Sequence, residues 1–561
     1  MQRSFKSVSM TAYPSAASAI SESNVVLRHT ENALTQIFQR TEDPRERLAG
    51  LDEEISRVER VLSRLRSFQP TLRRDINRLH SPILQILPTE LVSEIFTHCL
   101  PNLGDFSPHL PPSDGSICPL LLGSICSSWR QIAWATPSLW TSPTLLLCKP
   151  KLRIQAELLE EWIGRSGDLT LTLRLLCGSD DDRVTDIPQG LFKTILRHAS
   201  RWRAIDLQIP TAYYENLSAP EATFSSLRRL IVNPSGGQGD RSHILEWSNC
   251  TPQLRDISLF SVYLNAVRVR WDNITRVHAK AFYIDECLEF MKRTPRLENC
   301  TFYSVIRGDD GHSLPRDPIS VPDLQTLTLV TERSVDGGAI LNKIFAPGLK
   351  NLTYDVAERP FHIPTFREFV ERSHAHLTTL SILRAVVSSA DVMEILALIP
   401  TVVEFKLNVI EAQGQCLGYG VMAMLIPDDR GHCALPNMTR FEYVGAFSFS
   451  WPQMVAMLIA RRGLKRLPTT NSLSMLDRVD VVRNETHLLY PKQSVAVLKH
   501  VALRLKESPD DIELLDFHQY QNVRQLIADG LELTIHAATL DFLDRLPGLT
   551  TRATNLLSNS H

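Results

Sequence analysis

The chain has 561 residues, 43% hydrophobic and 22% charged, with a formal net charge of −2, enough apolar content to bury a large core over several domains. The near-neutral balance offers no basic groove for nucleic acid and no patch for an anionic membrane. No stretch reaches the ~18 apolar residues of a membrane span, and residues 1–20 lack the apolar run of a secretory signal, so the expected location is intracellular, in cytoplasm or nucleus.

Residues 1–23 are rich in Ser and Ala and poor in large apolar side chains, which predicts disorder. A short helix is expected within 24–44, leaving residues 1–44 as a largely disordered N-terminal segment. From Leu48 the pattern changes. Leu48, Leu51, Ile55, Val58, Leu62 and Leu65 step alternately by three and four, and Leu72, Ile76 and Leu79 continue the register. This is an a/d seam over residues 45–80. Pro70 falls inside it, which predicts a break or kink between helices at 44–68 and 71–80. Two readings stay open: self-association of the chain through residues 48–79, or a helical arm folded onto the next domain.

Residues 81–101 begin a second pattern. Pro88 suits a first helical turn and Glu90 the positive end of the helix dipole. Leu91, Ile95 and Leu100, with Val92, Phe96 and Cys99, make a broad apolar face. Residues 101–119 hold five prolines and read as a loop. A helical stretch follows from Pro119 to Trp140.

The run Leu87-Pro88-x-Glu90-Leu91-x3-Ile95-Phe96, then Cys126-x2-Trp129-Arg130-x-Ile132-Ala133, then Thr136-Pro137-x-Leu139-Trp140 resembles the F-box of a large fungal, basidiomycete-type family of F-box proteins with C-terminal leucine-rich repeats. The heptad helix before it resembles members of that family too. The resemblance implies a three-helix unit over 81–145 that binds the Skp-type linker subunit of a cullin ubiquitin ligase, and through it the ligase core. Carried over by motif position, the docking residues are Leu87, Pro88, Leu91, Ile95 and Phe96, with Trp129 and Trp140 supporting fold and interface. The loop at 101–119 departs from the compact form of the family. A repeat scaffold that does not dock to a ligase is therefore the alternative.

Beyond Lys151, short strand-like and helical runs alternate. The run from Leu169 to Leu175 alternates without a break and predicts a strand. A unit of form apolar-x-x-apolar-x-apolar then starts at Trp202, Leu227, Leu254, Ile274, Leu297, Leu324, Leu349, Leu377, Val402 and Met438, at intervals of 25, 27, 20, 23, 27, 25, 28, 25 and 36. Most intervals match the spacing of leucine-rich repeats. Helical stretches are expected at 287–292, 366–372 and 392–398. The expected fold class is α/β: N-terminal helices followed by a degenerate leucine-rich-repeat-like solenoid over 146–545, its end capped by segments that include 501–505 and 531–535, and a frayed tail at 546–561.

In each unit the second and third apolar residues should enter the core, and the residues between and beside them should face the concave side. Those positions include Asp206, Arg229, Asp256, Phe260, Arg276, His278, Tyr303, Asp355, Glu404, Lys406 and Arg440. Their mixed charge favours a protein target, with Phe260, Arg276, His278 and Tyr303 as candidate contacts.

No motif for nucleophilic, phosphate or zinc-hydrolase chemistry occurs, so neither enzyme activity, cofactor nor metal is expected, and an enzyme with an unrecognised site in the repeat region is the remote alternative. The ten cysteines include no Cys-x-x-Cys pair. Cys118 and Cys126 fit no zinc knuckle, and Cys287 and Cys300 read as inert core thiols. Asp180, Asp181 and Asp182 read as a solvated loop, His374 and His376 as surface residues, and Arg461-Arg462 as a solvated basic pair.

Overall fold

The computed structural model describes residues 14–40, 43–80, 83, 86–100, 118–147, 152–177, 187–218, 222–235, 242–332, 337–412, 416–446, 449–462, 495–506, 515–537 and 540–541, apart from 188, 309, 429–430 and 516. It divides into two units. One comprises Met1–Thr141 with Trp162–Leu169, and the other Ser142–Glu161 with Thr170–His561. The first unit thus takes a segment from beyond the expected 81–145 boundary. The proline-rich loop over 101–117, the aspartates at 180–182 and the tail at 546–561 lie outside the described residues.

In the first unit, α1 (Pro14–Arg40) and α2 (Pro44–His80) form an antiparallel hairpin. Thr30 donates to Glu54 at 2.5 Å, and Gly50 lies under Ile37, whose Cγ1 would be 3.1 Å from an added Cβ. Two expectations are corrected. Helix starts at Pro14, inside the segment expected to be disordered. Helix α2 also runs through Pro70 without a break. One interior proline costs about 3 kcal/mol, and propagation from long helical flanks on both sides offsets that.

Three short helices follow: α3 (Thr89–Thr97), α4 (Cys118–Ile125) and α5 (Ser127–Trp134), closed by a 3-10 turn at Pro137–Trp140. The expected continuous helical stretch is therefore three pieces. Cys126 ends the first piece and caps the second, its Sγ accepting the N–H of Trp129 at 3.5 Å. Val92, Phe96, Leu122, Ala133, Leu139, Trp140 and Trp162 form the core of this unit.

The second unit is mixed α/β around one large sheet. Its strands are β1 (Thr144–Leu147), β2 (Leu171–Cys177), β3 (Trp202–Gln208), β4 (Arg229–Val232), β5 (Asp256–Phe260), β6 (Arg276–Lys280), β7 (Asn299–Val305), β8 (Thr326–Thr331), β9 (Asn351–Asp355), β10 (Thr379–Val387), β11 (Glu404–Ala412), β12 (Arg440–Gly445), β13 (His500–Leu505), β14 (Glu532–Ala537) and β15 (Leu540–Asp541). Each strand pairs with the next in the chain, in parallel up to β14, and only β14–β15 is antiparallel.

Two apolar ladders explain this order. Ile205, Leu230, Ile257, Val277, Cys300, Leu327, Leu352, Leu380, Phe405, Phe441, Val501 and Leu533 stand in one register row. The third apolar residue of each unit forms a second row, from Leu207 through Phe302 and Tyr354 to Ile535. All are buried. A register slip of one residue would turn both rows to solvent. Leu498 opens a further unit of the same form, followed by Val501 and Leu503.

Backbone bonds tie the start of each strand to the unit before it. Arg255 donates to Arg228, Glu298 to Thr275, Gln325 to Glu298, Lys350 to Gln325, Thr378 to Lys350 and Val403 to Thr378, each at 2.8–3.1 Å. This regular bonding satisfies loop groups that would otherwise be buried unpaired.

The expected helices occur as α6 (Ile284–Arg293), α7 (Ile363–Ser373) and α8 (Ser389–Leu398). Ser388 caps α8 by exchanging bonds with Asp391. Phe290 of α6 packs on Phe302 of β7, which places that helix on the apolar side of the sheet. Helices do not occur in every unit. Around 211–217 and 264–266 the chain makes 3-10 turns, and Leu245–Trp247 pairs with Val267–Val269 as a small parallel sheet.

Helix α9 (Trp451–Arg461) corrects the reading of Arg461-Arg462. Arg461 is buried and donates to the carbonyls of Leu425 at 2.8 Å, Leu435 at 3.0 Å and Ala434. Burial lowers its pKa. Arg462 donates to the carbonyls of Leu498 and Asp529. Both arginines satisfy backbone acceptors that the turns leave open.

Candidate functional site

Two surfaces carry the candidate residues, one in each unit. In the first unit, α3 is apolar on two sides. Val92 and Phe96 point inward, at 0% and 1% exposure, and Phe96 meets the ring of Trp129. Leu91 and Ile95 stay 51% and 43% exposed, four residues apart on one face. Pro88 is exposed, and Leu87 and Trp129 are half-buried.

Phe96 therefore needs correction as a surface contact, and Trp140 is placed to support the fold rather than to meet a partner. Phe96 is buried because its ring fills the space beside Trp129. Trp140 is buried because its ring packs on Trp134 and Trp162 and its Nε1 donates to the Ala133 carbonyl at 2.9 Å. Arg165 lies 5.0 Å from the Trp134 and Trp140 ring centroids, so a cation seals that cluster.

The structure adds exposed residues that motif matching missed: Ile86, Leu120, Leu121 and Ile125. Leu121 and Ile125 are also four apart on α4, so the sequence signal was their spacing. Tight packing under α4 holds this arrangement. A Cβ on Gly123 would fall 2.0 Å from Trp134, and Arg130 donates to the Gly123 carbonyl at 2.8 Å. Thr136 donates to Ser93 at 3.0 Å, joining α3 to the 3-10 turn.

In the second unit the face opposite the apolar ladders is mostly polar, with Ile231 and Phe260 as buried apolar members. Phe260, Arg276, His278 and Tyr303 all fall on three consecutive strands, β5 to β7. Phe260, Lys280 and Tyr303 share one register row, and Ser258, His278 and Thr301 share another. That second row continues through Thr328, Thr353 and Ser381 to Lys406 and Glu442, which pair at 3.1 Å.

Arg276 and Tyr303 are exposed, Tyr303 by 45%. His278 is half-buried. Burial lowers its pKa, Asp256 raises it, and Arg229 and Arg276 lower it further. Phe260 is only 7% exposed, which removes it as an open contact. Strand β5 is buried along both faces, so the ring contributes to packing.

Charge on this face is paired across strands. Asp256 accepts from Arg229 at 2.9 Å and faces Arg276 at 3.1 Å. Asp206 accepts from Arg174 at 3.1 Å, and Asp355 from Arg384 at 2.8 Å. Burial raises the Asp206 pKa and the Arg174 pair opposes the rise. Arg174, Arg384 and Glu442 were not among the sequence candidates. Their partners lie 29–36 residues away: Arg174 meets Asp206 and Glu442 meets Lys406 through strand register, and Arg384 reaches Asp355 from an irregular point of β10, one residue past the register partner Leu383.

Among the described residues, no group of three His, Cys, Asp or Glu side chains is placed to hold a metal, and no helix is long and apolar enough to cross a membrane. Burial raises the thiol pKa values of Cys287 and Cys300 and pushes that of Cys416 up to about 12, which suppresses the reactive thiolate. His374 ends α7 in a left-handed conformation.

The chain matches no family model and no curated protein.

Proposed function

We propose that this chain is a non-enzymatic substrate-recognition adaptor of an SCF-type (Skp-cullin-F-box) ubiquitin ligase. In this reading α3, α4 and α5 are an F-box, and the sequential sheet is a degenerate leucine-rich-repeat-like solenoid. The linker subunit docks on the helices, and a protein target is held by the polar face of β5 to β7. The observation that carries the reading is the exposure of Leu91 and Ile95 on a helix whose other side is anchored by Phe96 and Trp129. A short helix with a complete core behind it gains nothing internally from a second apolar face. Such a face is the usual mark of an interface. The strand order supports the second half, because each unit contacts the next in chain order as in repeat architectures.

Co-purification of the full chain with the Skp-type linker subunit tests the docking step. The wild type is expected to associate. The Leu91→Asp, Ile95→Asp double variant is expected to lose at least about tenfold in affinity with folding intact, since both side chains are on the surface. Absence of association by the wild type overturns the reading.

A further inference from the structure

Helix α2 carries an apolar stripe that its hairpin partner does not cover. Leu48, Ile55, Leu62, Leu65 and Leu72 are 61%, 53%, 43%, 37% and 40% exposed. Helix α1 lies along a different edge. Its Ile37 is against Gly50, and its Thr30 donates to Glu54, which is 5% exposed. In heptad terms Leu48, Ile55 and Leu62 are a positions and Leu65 and Leu72 are d positions. Glu54 is then a g position, so α1 occupies the g side of the seam.

Beyond Arg45 at the helix start, the e side is exposed and charged in blocks. Asp52 and Glu59 are acidic, and Arg66 and Arg73 are basic. That division fits a second copy of this chain in one orientation. In an antiparallel pair, e positions face e positions and g positions face g positions. Leu62 then meets Leu65, and Ile55 meets Leu72, of the second copy. In the same register Glu59 faces Arg66 and Asp52 faces Arg73, and the two-fold axis repeats both pairs. The two α1 helices fall together on the g side, completing four helices. A parallel pair would press each e edge onto a g edge where α1 already lies. We infer that α2 is the interface of an antiparallel homodimer, and the inference stands independently of the ligase reading.

The test uses the full chain in sedimentation equilibrium. The wild type is expected to be a dimer, and Leu62→Glu with Leu65→Glu a monomer. Glu59→Arg alone and Arg66→Glu alone each place like charges together twice and are expected to raise the dissociation constant about tenfold. Combining both substitutions restores opposite charges and returns the constant to near the wild-type value. A monomeric wild type, in which another segment or another partner covers the stripe, overturns the proposal. So does a dimer that responds to neither single charge reversal, because e does not face e in a parallel pair.

Discussion

The Phe96 ring centroid lies 4.7 Å from that of Trp129, with the planes tilted by 42°. This contact sets the rotation of α3. With Phe96 and Val92 turned inward, Leu91 and Ile95 must face out. The same ring contact thus bears both on the core of the small helical unit and on which apolar side chains of α3 reach its surface.

That relationship separates stability from docking. Phe96→Ala is expected to destabilise the helical unit by about 3–5 kcal/mol through the cavity it leaves. Leu91→Ala should change stability by less than about 0.5 kcal/mol, as exposed substitutions do, while weakening association with the linker subunit. Thermal unfolding and binding measured on both variants check the pair. Equal loss of stability in the two would show that Leu91 is packed in solution.

The sheet face divides in the same way. Phe260→Ala should cost about 3 kcal/mol, because the ring is buried. Tyr303→Ala should leave the unfolding temperature nearly unchanged and reduce recovery of the bound target in quantitative pull-down, since an exposed aromatic is a preferred anchor. Arg276→Ala should show an intermediate pattern, because it also faces Asp256 at 3.1 Å.

The apolar architecture was legible in the sequence. Three apolar residues at fixed spacing repeat along the chain, and all three are buried in every unit from Trp202 to Met438. The polar face was only half legible. Spacing identifies which residues leave the core, but whether Arg174 reaches Asp206 depends on strand register, which no local pattern records. The helical unit was ambiguous for another reason. Leu91 with Ile95 and Val92 with Phe96 are two apolar pairs of the same spacing on one helix, and only tertiary packing decides which turns inward. Arg461 shows the same limit for charge: its burial depends on carbonyls 26–36 residues earlier in the chain.

Gly348 marks a close approach between neighbouring units. An added Cβ would fall 2.5 Å from the Pro322 carbonyl oxygen, a backbone atom that cannot swing aside. Gly348→Ala is expected to destabilise the second unit by about 2 kcal/mol. Gly190, in the helix Gln189–Arg197, has nothing within 4 Å of an added Cβ. Gly190→Ala should be neutral or stabilising by up to about 1 kcal/mol. Denaturant midpoints of the two variants, compared with the wild type, check the contrast.

Glu286 gives the fold a pH dependence of definite sign. Its carboxylate is fully buried in α6 and accepts the N–H groups of Leu264 at 2.8 Å and Tyr283 at 3.1 Å. Burial pushes its pKa from 4.5 to about 7, the two N–H groups oppose the rise, and Asp310 and Asp285 add to it. The folded state therefore holds this proton more tightly than the unfolded state. The resulting stability is present in full below pH 4.5 and is lost as pH rises to about 7, a change of about 3 kcal/mol. Asp206, also raised by burial, acts in the same sense. His278 acts in the opposite sense, because its lowered pKa costs stability as pH falls below 6.5. Comparing the wild type with Glu286→Gln isolates the Glu286 contribution. The variant resembles the neutral acid in carrying one carbonyl oxygen and does not ionise. Urea midpoints measured between pH 4.5 and 7.5 should fall more steeply for the wild type than for Glu286→Gln. Parallel curves for the two proteins would show that Glu286 ionises at its ordinary pKa.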